Sequence, residues 1–221
     1  MKTLAIALLG FAFYACGSTE PPADRPVSQA TTSHSTDVSA RAPEAEPTPA
    51  RPAGEPSNVM EFFAVLPDKY FTLEGCDPAA DKDCKKARAE YLKAFTEVAD
   101  TKNGYFKGGC DGGQSCIEMA IFKRPDGTYL VGVATEFEMG NNFYFLDYAG
   151  GAWNDVSASV VPDYSRKNWY ELPRVGTTMK VYAKKISEQG ADYEVSEKGK
   201  LLYSLVWTGG KFATAPLLSH P

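Results

Sequence analysis

Five cysteines, two histidines and a few closely spaced carboxylates are the side chains from which this sequence could build chemistry. Four of the cysteines, Cys76, Cys84, Cys110 and Cys116, fall in the half of the chain that is rich in large apolar residues. An even set in an exported protein reads as disulfides. Pairing Cys76 with Cys84 and Cys110 with Cys116 is favoured, because each pair closes a short loop over turn formers, Asp77-Pro78 and Gly112-Gly113. The crossed pairing, which would tie a helix to the later loop, is the alternative. A four-cysteine zinc site would use tighter C-x2-C knuckles than the C-x7-C and C-x5-C spacings found here. His34 and His220 flank the apolar region and none lies inside it. That removes Ser-His-Asp and Cys-His nucleophiles, histidine general bases and histidine-held metals from the readings open to this chain. No catalytic residue, metal ligand or cofactor is assigned.

The carboxylates give two weaker patterns. Glu136 and Glu138 are two apart in "ATEFEMGNN", so on a strand they share a face. A carboxylate pair about 5 Å apart can run retaining glycoside hydrolysis. An acidic pair at a strand end is more often a solvated face. Asp77, Asp81 and Asp83 lack the alternation and glycine of a calcium loop and suit the start of a helix instead. "GGCDGGQSC" is glycine-rich but carries no lysine, so it does not cradle a phosphate.

The fifth cysteine belongs to another chemistry. Met1-Lys2-Thr3 supplies a positive charge, Leu4 to Phe13 an apolar run, and Ala15-Cys16-Gly17-Ser18 a small-residue site. This order is that of a signal peptide. The run is also too short for a spanning helix, which needs about 20 apolar residues. Its end, Phe13-Tyr14-Ala15-Cys16, resembles the lipobox of bacterial lipoproteins. Ala15 and Cys16 match the box, while Phe13 and Tyr14 are bulkier than usual. The resemblance covers residues 1–19 alone. It implies that residues 1–15 are removed and that Cys16 becomes a lipid-carrying N-terminus, with acyl chains such as palmitate on its sulfur and amine. Two or more chains anchor a protein stably. In the Gram-negative members of that class, Gly17 resembles the outer-membrane pattern. The expected location is therefore the bacterial cell envelope.

Residues 16–57 read as a tether. From Gly17 to Ser57 there are eight prolines, eleven serines or threonines and no aromatic residue. Such a segment buries too little apolar surface to offset its ordering entropy. Random-coil scaling puts its ends roughly 35 Å apart. Residues 58–221 remain as one domain, long enough for a proper core. The chain carries a net charge of -5, and the only basic clusters are Lys85-Lys86 and Lys184-Lys185. That argues against nucleic acid, whose phosphates demand clustered lysine and arginine.

The elements that would position any site are mostly strands. "SNVMEFFAVLP" predicts a short helix capped by Ser57 and stopped by Pro67. A second helix is predicted from an Asp77 cap and Pro78, through the stripe Tyr91, Leu92, Phe95, Val98 and Ala99, to Asn103-Gly104. Beyond Gly104 the period becomes two. Turns at Pro125-Asp126-Gly127, Gly150-Gly151 and Gly209-Gly210 mark hairpins. "TTMKVYAKK", "ADYEVSE" and "KLLYSLVW" read as separate strands. At offsets of 59 and 60, Met119, Ile121, Tyr144 and Leu146 fall on Met179, Val181, Tyr203 and Leu205, as the glycine pairs do. That suggests two diverged four-stranded meanders, 116–158 and 177–216. The expected class is α+β, dominated by antiparallel strand, with one or two N-terminal helices.

"FYFLDY" is apolar on both faces, so it is either covered twice or displays aromatics. Trp169 and Tyr170, in the "RKNWYELPR" connection, are the candidate binding residues, since connections carry function more often than packed strands. The functional expectation is an envelope lipoprotein with a non-catalytic domain that binds a protein, a glycan or another ligand of unknown specificity. A carboxylate-based glycan hydrolase and a structural or assembly component of the envelope are the alternatives.

Overall fold

The computed structural model describes residues 54–215, except 74, 77–79, 81–83, 111–114, 138–139 and 189–193. Cys16, both histidines, the aspartates Asp77, Asp81 and Asp83, and Glu138 lie outside the described residues.

The chain enters through α1, Val59–Ala64. Its cap is Asn58, one residue beyond the expected Ser57: the Asn58 side chain accepts from the backbone N–H groups of Met60 and Glu61, at 3.1 Å each. Glu61 reaches back to accept from the Ser57 backbone and hydroxyl at 2.6 and 2.8 Å. Asn58 thereby satisfies two orphan donors of the first turn, and Glu61 ties down the residue before the cap. The buried face of α1 is Val59, Phe62 and Phe63. After Pro67 and a 3-10 turn at Asp68–Tyr70, the second helix, α2, runs from Lys85 to Phe95.

That helix is shorter than the apolar stripe predicts. At Thr96 the backbone becomes extended, and Thr96–Asp100 form strand β1, which carries Val98 and Ala99. Thr96 and Val98 are β-branched and favour the extended backbone. The Thr96 hydroxyl donates to the Leu92 carbonyl at 2.6 Å, occupying an acceptor of the last turn. Asn103-Gly104, expected as a helix stop, turns β1 into β2, Tyr105–Gly108, with Gly104 at φ +69.

β1 begins a six-stranded antiparallel meander in chain order: β2, then β3 (Cys116–Lys123), β4 (Tyr129–Phe137), β5 (Gly140–Ala149) and β6 (Ala152–Asp155). Gly150 and Gly151 join β5 to β6 with φ of +56 and +82. Positive φ at both central residues is what a tight hairpin with right-handed twist requires. A short helix, α3 (Ser157–Val160), leads to the second sheet. That sheet comprises β7 (Asn168–Glu171), β8 (Thr178–Glu188), β9 (Glu194–Trp207) and β10 (Phe212–Thr214), in the order β10-β9-β8-β7.

Three sequence-based expectations change here. "KLLYSLVW" and the described part of "ADYEVSE", from Glu194 onward, share one long strand, β9, where two were expected. Among the described residues of 177–216 there are three strands, β8, β9 and β10, where four were expected, so a second four-stranded meander is not confirmed. The supposed connection around Trp169 is itself a strand, β7.

The layers follow from alternation. One face of the six-stranded sheet carries Phe106, Ile117, Met119, Val131, Val133 and Leu146 against the helices. The other carries Tyr105, Ala120, Phe122, Leu130, Phe143 and Phe145 against Tyr170, Met179, Val181, Leu205 and Trp207 of the second sheet. "FYFLDY" is thus a central strand covered twice. Gly132 permits the close approach of the sheets, since a Cβ there would lie 3.0 Å from Leu172 Cδ2. The Trp207 indole donates to the Lys123 carbonyl at 2.9 Å and ties the layers together. Cys76 pairs with Cys84 and Cys110 with Cys116, at Cα separations of 5.2 and 4.2 Å.

Candidate functional site

The two sheets do not close on each other along their whole length. On the face of the six-stranded sheet that meets the second sheet, the apolar pattern gives way to polar residues at one end. The register fixes which ones. Lys107 of β2 lies opposite Glu118 of β3, and Glu118 opposite Ala134 of β4. Glu136 lies opposite both Cys116 and Asn141, and Ala134 opposite Phe143 of β5. All of these side chains share one face. Trp169 of β7 faces them from the second sheet, and the space between has a volume of about 70 Å³.

Each wall has a local cause. In "CIEMA" the odd positions Ile117 and Met119 are taken by the helix-side core, which turns Glu118 toward the second sheet. β7 is the end strand of its sheet, so the partly buried Trp169 is free to lean over the edge. Its ring meets that of Phe143 at 5.6 Å, edge to face. Its neighbour Tyr170 points the opposite way and is 0% exposed. The Tyr170 ring packs on Phe143 and Phe145 and stacks on Tyr164. The Tyr170 hydroxyl accepts from the Ser165 N–H at 2.8 Å and donates to the Ser165 carbonyl at 3.2 Å. Tyr170, expected as a displayed binding residue, is a core residue. Adjacent strand side chains take opposite faces: Tyr170 takes the inter-sheet face with Val181, and Trp169, on the other face with Tyr182, reaches Phe143 and the cleft over the strand edge.

The electrostatics are uneven. Burial raises the Glu118 carboxyl above the ordinary carboxylate value, the neighbouring Glu136 charge adds to the rise, and the Tyr105 hydroxyl, which donates to Glu118, opposes it. Burial and the Glu118 contact push the Tyr105 hydroxyl up as well. Lys107 is committed to Glu97 at 2.6 Å, and that bond raises its ammonium above the ordinary lysine value. Lys184 donates to the Asn141 backbone carbonyl at 3.0 Å and lies 5.4 Å over the Phe143 ring. Burial lowers its pKa.

Asn141 is the exception to this pairing. It is only 5% exposed, and neither Oδ1 nor Nδ2 of its carboxamide has a hydrogen-bond partner. Buried polar groups in folded proteins are nearly always bonded, and each orphan calls for an explanation. The other buried orphan atoms among the described residues, on Asp68, Arg88 and Tyr203, do not line the cleft. A larger depression of about 280 Å³ beside α2 is lined by Leu73, Tyr91 and Phe95, but there the Tyr91 hydroxyl already donates to the Gly109 carbonyl at 2.6 Å.

Sequence reading therefore finds Trp169 and Glu136 and misses Glu118, Lys107 and Asn141. Asn141 opens the strand-forming stretch "NNFYFLDY", and only the β4–β5 register shows which face of the sheet it takes. Searches against protein-family models, curated proteins and solved structures find no match to this chain.

Proposed function

We propose that this chain is a lipid-anchored protein of the bacterial envelope whose domain binds a ligand in the cleft between its sheets without transforming it. The lipobox-like Phe13-Tyr14-Ala15-Cys16 and the proline-rich segment that follows support the anchor and tether. The observation that carries the binding reading is Asn141, a buried carboxamide with both polar atoms unpartnered in the wall of a cleft. Leaving such a group unpaired costs about 1–3 kcal/mol. A site that needs the group for a ligand accounts for that cost. Aromatic walls with a few convergent polar groups are the usual make-up of a small-molecule site.

The test is a titration of the detergent-solubilised full chain with neutral trisaccharides, putrescine and acetamide, read by tryptophan fluorescence. At least one of these classes produces a saturable change, and Ala134→Phe, which fills the cleft floor, abolishes it. A flat response to all three classes, or one indifferent to Ala134→Phe, contradicts the reading.

A second reading has its own observation. Glu118, with its raised pKa, and Glu136 lie diagonally across β3 and β4 on one face. A carboxyl with a raised pKa beside a second carboxyl is the pairing that glycoside hydrolysis uses. In that case Glu118 would be the acid and Glu136 the base or nucleophile. Release of reducing ends from the same trisaccharides, lost in Glu118→Gln, would replace the binding reading with this one.

A further inference from the structure

We infer that the cleft receives a neutral saccharide edge-on, through a vicinal pair of hydroxyl groups; this rests on the cleft being a ligand site. The requirement comes from Asn141. Its carboxamide presents one acceptor and two donors. Both Oδ1 and Nδ2 are buried and unpartnered, so the ligand must bring a donor and an acceptor side by side. An ammonium group would satisfy Oδ1 and leave Nδ2 orphaned. A carboxylate or fully ionised phosphate would satisfy Nδ2, leave Oδ1 orphaned and face the Glu136 side chain. Adjacent sugar hydroxyls meet both needs, because one donates to Oδ1 while the oxygen of the next accepts from Nδ2.

The rest of the cleft fits the same chemistry. Glu118 and Glu136 lie on the same face as Asn141, and carboxylates are acceptors for further hydroxyl donors. The basic groups around them are already committed, Lys107 to Glu97 and Lys184 to the Asn141 backbone carbonyl. Among the described residues that line it, the site thus offers acceptors and one carboxamide, and its one cation, Lys107, is paired with Glu97. Trp169 is partly exposed at the cleft, where its ring can lie against the C–H face of a sugar. At about 70 Å³ the space admits the edge of one ring and not a whole oligosaccharide, so the remainder of the chain would extend outward past Trp169.

The experiment uses the detergent-solubilised full chain and four neutral trisaccharides: maltotriose, cellotriose, mannotriose and tri-N-acetylchitotriose. Putrescine and acetamide serve as the cationic and amide arms. At least one trisaccharide is expected to give a saturable change in tryptophan fluorescence, weakened tenfold or more by Asn141→Leu and several-fold by Glu136→Gln. Thermal melts confirm that each variant is folded, and Glu136, which is exposed, supplies a variant with little risk to the fold. Saturable binding of putrescine or acetamide with no response to any trisaccharide overturns the saccharide inference and leaves the cleft as a site. Silence from all six probes overturns both. A trisaccharide response unchanged in Asn141→Leu places the sugar elsewhere and overturns the inference as well.

Discussion

Asn141 makes a prediction that runs against the usual direction of core substitutions. Its carboxamide is buried without partners, so Asn141→Leu removes a desolvation cost while keeping the branched shape, with the cleft beside it to take the larger methyl groups. The variant should be more stable than the parent by about 1 kcal/mol or more, a Tm rise of roughly 2–4 °C for a domain of this size. A lower Tm in calorimetry would show that the group is satisfied after all. Glu118 makes a second, pH-dependent prediction. Burial raises its carboxyl in the folded state, so the folded protein holds that proton to higher pH than the unfolded chain does. Stability therefore falls as pH rises from the ordinary carboxylate value to the raised one. Glu118→Gln abolishes that part of the slope, and parallel pH profiles for variant and parent would contradict it. Neither residue stands out in the sequence. Glu118 sits among apolar neighbours in a strand covered on both faces, and Asn141 is one of two asparagines at the start of a strand, with nothing in the sequence to say which face it takes.

At the scale of elements, β7 shows what a sequence carries and what it withholds. "NWYE" announces two aromatics and gives no sign of which faces inward. The edge position of β7 and its pairing with β8 decide it, sending Tyr170 into the core and Trp169 to the cleft. The two should separate cleanly under mutation. Tyr170→Phe loses the hydrogen bonds to Ser165 and should cost about 1 kcal/mol of stability with ligand affinity unchanged. Trp169→Ala should lower affinity with a smaller change in Tm, and urea unfolding together with titration of both variants checks the pair. The hairpins at Gly127, Gly150-Gly151 and Gly209 were legible because positive φ leaves few residue choices. The end of α2 was not, because Asn103-Gly104 serves a helix stop and a hairpin equally well. The apolar residues Val98 and Ala99 fit a helical stripe as readily as a strand.

For the whole molecule, the sequence makes plain an antiparallel, strand-rich α+β domain and favours its local disulfide pairs over the crossed pairing, because turn chemistry and short cysteine loops are local signals. The cleft was beyond it, since Lys107, Glu118, Glu136, Asn141 and Trp169 come from five strands of two sheets. The proposed anchor gives a prediction at this scale: Cys16→Ala protein should leave the membrane fraction, and unchanged membrane association on fractionation would remove the lipoprotein reading. The most direct test of the cleft itself is the side-chain amide resonance of Asn141 in the full chain, assigned by its loss in Asn141→Leu. Titration with the neutral trisaccharides should shift that resonance saturably, because the ligand supplies the partners the carboxamide lacks. A resonance that stays fixed while a ligand binds would place binding elsewhere and contradict the account.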